Sequence, residues 1–421
     1  MLTFDLCCCH VFLHHSLAPK QKASTSMKRL IASVCVVGFV AGGLAGCSWL
    51  GRSDVVVSED EFRITENTLF ATQLSPIYQE MDTAPGINTS YLVTFERDGS
   101  VQALKIHPMA IGEPIWQGDT LVAVDRKFDY FVTDKVRKID HPKVEVMTNI
   151  VASSTTDEVF ALMNDGDTEE GYKTSVETLT QGGHATTNLD GAYLMTSECD
   201  GVLYGIGDAE GRVVARAPKE LGDHVTALVR ASGTANHQEQ VISYQRTHEG
   251  EGSATPLPCF TDSVVSLVLD VSEPDGPATL TGFVRVRNVR DGSHHDVILR
   301  NPDGTRYETY IEAPNYDLRS LSGRSFNWLN NDGVYWRTNI DSGVTEKLFQ
   351  IQESEQFLAV GSVAFSAEGI HILAELEEGT VIKSFSKKDG SLTRTLEVPG
   401  FDTITARTRQ HWGLAVSPNV P

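Results

Sequence analysis

Between residues 61 and 417 apolar and polar positions alternate in short runs, and almost nothing repeats at the helical spacing of i, i+3, i+4. Val, Ile, Thr, Tyr and Phe fill these runs, and Gly and Asp punctuate them. That pattern predicts many short β-strands joined by tight turns. Five segments share one design: YLVTFERDGSVQALKI (91–106), VLYGIGDAEGRVVARA (202–217), DVILRNPDGTRYETYI (296–311), VYWRTNIDSGVTEKLF (334–349) and VIKSFSKKDGSLTRTL (381–396). Each reads as a strand, an acidic turn ending in Gly, and a second alternating strand. Gly99, Gly211, Gly304, Gly343 and Gly390 would supply the positive φ of a hairpin turn.

These glycines are separated by 112, 93, 39 and 47 residues. The two long gaps are close to multiples of about 40–47 residues, the length of a four-stranded propeller blade. Degenerate copies fit between them: LVAVDRKFDYFVTDKV, EVFALMNDGDTEEGYKTSVETL and SVVSLVLDVSEPDGPATLTGFVRV. A four-stranded unit cannot bury both faces alone, so such units stack radially around a channel. The expectation is an all-β fold, a β-propeller over residues 61–421 with seven blades, six to eight being compatible. The ring must close, and HWGLAVS (411–417) is expected to share a blade with strands near EFRITENTLFATQL (61–74).

The first 60 residues break this pattern. MKRLIASVCVVGFVAGGLAGC (27–47) has a basic start, an apolar stretch and a small-residue end, the layout of a secretory signal. Its apolar part, Leu30 to Gly46, is short and Gly-rich for a spanning helix, which needs about 20 apolar residues. Leu44-Ala45-Gly46-Cys47 resembles the lipobox of bacterial lipoproteins. That resemblance implies a signal peptide over 27–46, cleavage before Cys47, and a diacylglyceryl thioether on Cys47 as mature N-terminus. Residues 47–60 then read as a lipidated tether. Residues 1–26 precede a complete signal that has its own Met27, and are read as a spurious upstream extension. Within them Cys7, Cys8 and Cys9 are adjacent, a spacing that does not wrap a tetrahedral metal.

Without residues 1–46 the chain has 31 basic and 55 acidic residues, a net charge of −24. Such a surface repels phosphates, which excludes nucleic acid as a partner and leaves the lipid as the membrane attachment. The expected location is the extracytoplasmic face of the cell membrane, or the outer membrane if the organism is Gram-negative. Of the seven cysteines only Cys199 and Cys259 then remain, and two cysteines in an exported domain suggest one disulfide.

The hairpins resemble those of quinoprotein-like propellers, in which a D-x-x-T-G turn precedes a tryptophan docked between blades. NIDSGVTEKLF is the nearest match, with Leu348 or Phe349 where that tryptophan stands. The GH…WD signature of WD40 blades is absent. The resemblance implies architecture and no cofactor, and none is expected.

Candidate chemistry is sparse. Gly205, Gly207 and Gly211 in GIGDAEG imitate a phosphate loop, but RVVARAP after them reads as a strand, not the helix such a loop needs. Asp165, Asp167 and Glu169 in NDGDTEE are hard oxygen ligands and the first candidates for Ca²⁺; the loop lacks EF-hand spacing, and a solvated acidic loop is preferred. His294, His295 and Asp296 sit adjacent on a strand pattern, so the two imidazoles point apart. His184, His224, His237 and His371 are scattered without ligand spacing. SFSK (384–387) matches S-x-x-K only formally, since that chemistry needs a helical turn. Trp328, Tyr335 and Trp336 read as blade core. No catalytic residues are assigned. The expectation is a non-catalytic binding or scaffold module for an envelope protein or small molecule; the alternative is a propeller-class hydrolase or lyase using carboxylates at the channel mouth.

Overall fold

The computed structural model describes residues 55–76, 89–144, 146–222, 224–233, 238–247, 256–272, 279–307, 314–351, 361–405 and 409–421. The expectations for residues 1–46 and for Cys47 lie outside the described residues.

The chain builds one sheet after another, each from strands adjacent in sequence. The first begins with β1 (Val56–Val57), β2 (Thr68–Pro76), β3 (Ser90–Glu96) and β4 (Val101–Ile106). Val56 and Val57, within the stretch 47–60 that composition reads as tether, pair in parallel with Ala103 and Leu104 and so belong to the first sheet. The cause is the apolar run Val55–Val57, whose side chains pack on the core. The second sheet is β5 (Ile115–Gln117), β6 (Thr120–Val124), β7 (Phe128–Val132) and β8 (Val136–Asp140).

A seven-stranded sheet follows: β9 (Met147–Ala152), β10 (Val159–Thr168), β11 (Gly171–Thr180), β12 (Gly183–Cys199), β13 (Val202–Ala209), β14 (Val225–Arg230) and β15 (Gln240–Arg246). The 17-residue β12 pairs with β11 through residues 183–190 and with β13 from Gly191 onward. It therefore leaves one four-stranded unit as an outer strand and enters the next as an inner one. Divided there, the sheets among the described residues number seven; undivided, they number six. The remaining units are β16 (Cys259–Phe260) to β19 (His294–Ile298) through β17 (Ser263–Ser272) and β18 (Thr279–Asn288), then β20 (Leu321–Ser322), β21 (Ser325–Leu329), β22 (Val334–Asn339) and β23 (Thr345–Gln350), then β24 (Ser362–Phe365), β25 (Gly369–Leu376), β26 (Gly379–Ser386) and β27 (Leu392–Glu397). The final strand, β28 (Arg409–Val416), returns to the first sheet and pairs antiparallel with β2. The expected closure between 411–417 and 61–74 is present, and the domain is a β-propeller.

Burial follows position in the blade. β2 is buried along its whole length, whereas β8, an outer strand, reads exposed or half-buried throughout. Strands sandwiched between neighbouring sheets lose the in–out alternation expected of a one-sided sheet. The apolar clusters lie between sheets: Leu329, Tyr335 and Phe349 meet Phe365, Ile370 and Phe385, and Val122 and Phe131 meet Ile150 and Val159. Trp328 and Tyr335 are core, as expected, in two different clusters; Trp336 is partly buried against the cluster of Trp328.

Three of the five expected hairpins form, β3–β4, β22–β23 and β26–β27, with Gly99, Gly343 and Gly390 at positive φ. Their glycines do more than turn. A Cβ on Gly343 would lie 2.0 Å from the Ile298 carbonyl oxygen, and one on Gly99 2.3 Å from that of Glu397. Each turn docks against the outer strand of the preceding sheet, where only a bare backbone fits.

Two expected hairpins differ. After β13 the chain forms the one-turn helix α1 (Gly211–Val214), not a strand, and β13 pairs instead with β14. Asp190 accepts hydrogen bonds from the Arg212 backbone and guanidinium, and Val213 is fully buried, so tertiary bonds and packing override the β-propensity of RVV. In DVILRNPDGTRYETYI the first strand is β19, an outer strand; at the Gly304 turn Arg300 bridges antiparallel to Arg306 and in parallel to Val344 of the next sheet. The true hairpin turn of that unit carries Gly292. Residues 308–313 of that segment lie outside the described residues.

Candidate functional site

Residues of the inner strands β28, β5, β9, the second half of β12, β16 and β24, with the segment Tyr316–Arg319 that leads into β20, line a cavity of about 640 Å³. Much of its wall is apolar: Ile115, Ala152, Leu318, Val363, Phe365 and Leu414 all contribute. Cys199 and Cys259 lie in that wall and form the expected disulfide, with Cα atoms 5.6 Å apart. Beside it Ser197 bridges in parallel to Leu257, its Oγ donating to the Leu257 carbonyl at 2.8 Å. The disulfide thus covers a seam where two units meet through backbone bonds.

Carboxylates reach this cavity, but most are occupied by neighbours. Glu198 accepts from Ser154 Oγ at 2.8 Å and from the Gly201 amide. Asp262 faces Arg290 at 2.8 Å, and Asp317 faces Arg319 at 3.2 Å. Glu113 differs: among the described residues no hydrogen bond reaches its carboxyl, and burial pushes its pKa up to about 7. One raised carboxyl does not make an acid–base pair.

Glu113 gives a pH prediction. Its folded pKa lies above its ordinary value of 4.5, so the folded chain holds a proton that the unfolded chain releases. Its contribution is fully present below pH 4.5 and is lost as pH rises to about 7. Urea unfolding across that window should show stability falling with pH, and Glu113→Gln should flatten the slope; an unchanged slope would remove Glu113 as its source.

The other sequence candidates separate. Asp165 turns toward Ser175 and Glu177, and its pKa is raised by burial, while Asp167 and Glu169 are exposed at the β10–β11 tip. The weak Ca²⁺ candidate, for which a solvated acidic loop is the preferred reading, is not such a cluster: among the described residues, the group of three with ligand atoms within 4.8 Å of one another is Asp129, His141 and His184. Gly205 and Gly207 make room for Tyr193 and the β12 backbone, a Cβ on Gly207 lying 2.0 Å from the Ala192 carbonyl oxygen. Ser384 bonds His371 at 2.9 Å, while Lys387 donates to the Ser366 carbonyl at 2.6 Å, so SFSK forms no Ser–Lys pair. Asp296 is held by Arg285 at 2.7 Å.

The histidine group was not legible in the sequence. His141 follows β8 and His184 begins β12, 43 residues later, with no motif joining them. Their rings stack with centroids 3.4 Å apart and 6° between planes. His141 Nδ1 lies 2.8 Å from Asp129 Oδ2 and its Nε2 3.2 Å from Glu177 Oε2. Burial opposes its charge, yet these hydrogen bonds outweigh that and raise its pKa.

The family described as YycP, beta-propeller domain matches residues 77–212. No curated protein matches the chain significantly. Among solved structures, the chain is similar to the Pan2 WD40 domain of Neurospora crassa (12% identity, 76% of this chain and 96% of that one, TM-score 0.42). It is also similar to BamB from Moraxella catarrhalis (8% identity, 68% and 76%, TM-score 0.36). A third is apo AztD from Citrobacter koseri (10% identity, 83% and 97%, TM-score 0.40). The matched family is a β-propeller domain, the architecture that the strand order and the closure between β2 and β28 build in this chain.

Proposed function

We propose that this protein is a membrane-anchored extracytoplasmic lipoprotein whose propeller is a non-catalytic binding module, taking an envelope protein or small molecule at its central channel. The observation that carries this reading is the channel itself: a cavity of about 640 Å³, largely apolar in its wall, lined by inner strands and by the segment Tyr316–Arg319. Sites of this size and lining suit recognition, with a few placed polar groups for orientation. The rival, a hydrolase or lyase using channel-mouth carboxylates, draws on Glu113 and Asp200, because Glu198, Asp262 and Asp317 are held by neighbours. The anchor rests on the LAGC motif and the leader before it.

Two measurements test this. Mass spectrometry of the processed chain is expected to find Cys47 as a lipid-modified N-terminus; an unmodified peptide spanning Gly46–Cys47 as the main species contradicts the anchor. Ala152→Trp fills part of the channel, and affinity capture from native envelopes should lose the partner that the parent chain retains. Equal capture by a folded Ala152→Trp chain places binding elsewhere.

A further inference from the structure

We propose that Asp129, His141 and His184 form a binding site for one divalent transition-metal ion of the zinc class. One ligand atom from each residue lies within 4.8 Å of the other two. They come from different sheets, Asp129 and His141 from the second and His184 from β12 of the next, so an ion there would clamp two blades together.

The groups around them are already arranged as supports for ligands. Lys143 Nζ donates to Asp129 Oδ1 at 2.7 Å, which leaves Oδ2 facing His141 Nδ1 at 2.8 Å. On the other side Glu177 Oε2 sits 3.2 Å from His141 Nε2 and itself accepts from Thr186 Oγ1 at 2.6 Å. A histidine that gives its far N–H to a fixed carboxylate has its near nitrogen oriented toward a metal. Zinc–nitrogen and zinc–oxygen bonds of about 2.0–2.2 Å set neighbouring donors roughly 3 Å or more apart. The Asp129–His141 pair needs to open only slightly. The ion takes the place of the proton shared along that line, and that proton leaves to solvent.

His184 completes the set. It is exposed, and its ring lies over His141 rather than in its plane, so rotation of its own side chain brings a nitrogen to the ion. Access exists: His141, Glu177, His184 and Asp165 line a groove of about 740 Å³. Charge points the same way: the buried Lys143 pairs with Asp129, while Asp165 and Glu177 add two carboxylates to the groove. Two imidazoles and one carboxylate suit zinc-like ions better than Ca²⁺ or Mg²⁺, which prefer all-oxygen shells.

The test uses the full chain stripped with a chelator and titrated with Zn²⁺ by calorimetry, with Co²⁺ as a visible-spectrum probe. One saturable Zn²⁺ per chain and histidine-type Co²⁺ bands are expected. His184→Ala, at an exposed position, should leave the metal-free melting temperature unchanged and weaken Zn²⁺ by about tenfold or more. The double variant His294→Ala/His295→Ala should bind as the parent does. Absence of saturable binding, or equal Zn²⁺ affinity in His184→Ala, overturns the site and leaves His141 as an ion-paired clasp only.

Discussion

Removal of residues 409–421 abolishes the cooperative unfolding transition of this chain, rather than merely lowering its midpoint. β28 runs beside β2 from the Phe70–Val416 pair to the Pro76–Arg409 pair, and it joins the end of the chain to its first sheet. β2 is buried along its length, so loss of its neighbour exposes a row of unpaired amides and carbonyls beside apolar core. The cut also strips Leu414 and Ala415 from two inter-sheet clusters. Blades that depend on both neighbours then lose closure on one side. Thermal melts followed by circular dichroism, with size-exclusion chromatography, check this. A sharp transition in the truncated chain would show that closure is dispensable.

The double variant Cys199→Ser/Cys259→Ser should unfold with roughly 4 kcal/mol less stability, from the loop entropy that the cross-link removes from the unfolded chain. The two cysteines are 60 residues apart, and the loop between them carries the inner strand of one unit through to the next. For a domain of this size that loss corresponds to a drop of roughly 5 °C in melting temperature. The Ser197–Leu257 bridge remains, so the fold should persist and the change should be one of stability alone. Calorimetry under oxidising and reducing conditions separates the cases. A parent chain insensitive to reductant would contradict the cross-link's role.

Much of the architecture was legible because propeller hairpins combine two local signals, alternating strands and turn glycines. At Gly99, Gly343 and Gly390 both signals agree, and the structure has hairpins there. At Gly211 they disagree with tertiary forces: the Asp190 carboxylate captures Arg212 and converts an apparent strand into the turn of α1. At Gly304 the local pattern is right about the turn but wrong about its place in the blade, since Gly292 makes the hairpin. Sequence spacing finds turns, whereas docking against the preceding sheet decides which turn recurs in each blade.

The candidate sites divide on the same principle. The Cys199–Cys259 pair could be read by elimination because few cysteines remained. The cluster of Asp129, His141 and His184 could not, because its members meet only when two sheets stack. The channel itself was expected of a ring of blades, but its lining was not legible, because Ala152, Leu318 and Phe365 become neighbours only around a closed ring.

The central claim, that the channel is where this protein binds its partner, is tested most directly by site-specific photo-crosslinking in living cells. A photoreactive residue at position 318, in the channel wall, is compared with one at position 392, where Leu392 is exposed on an outer strand. The account predicts a discrete envelope adduct from position 318 and none from position 392. Adducts from position 392 with none from position 318 would contradict it.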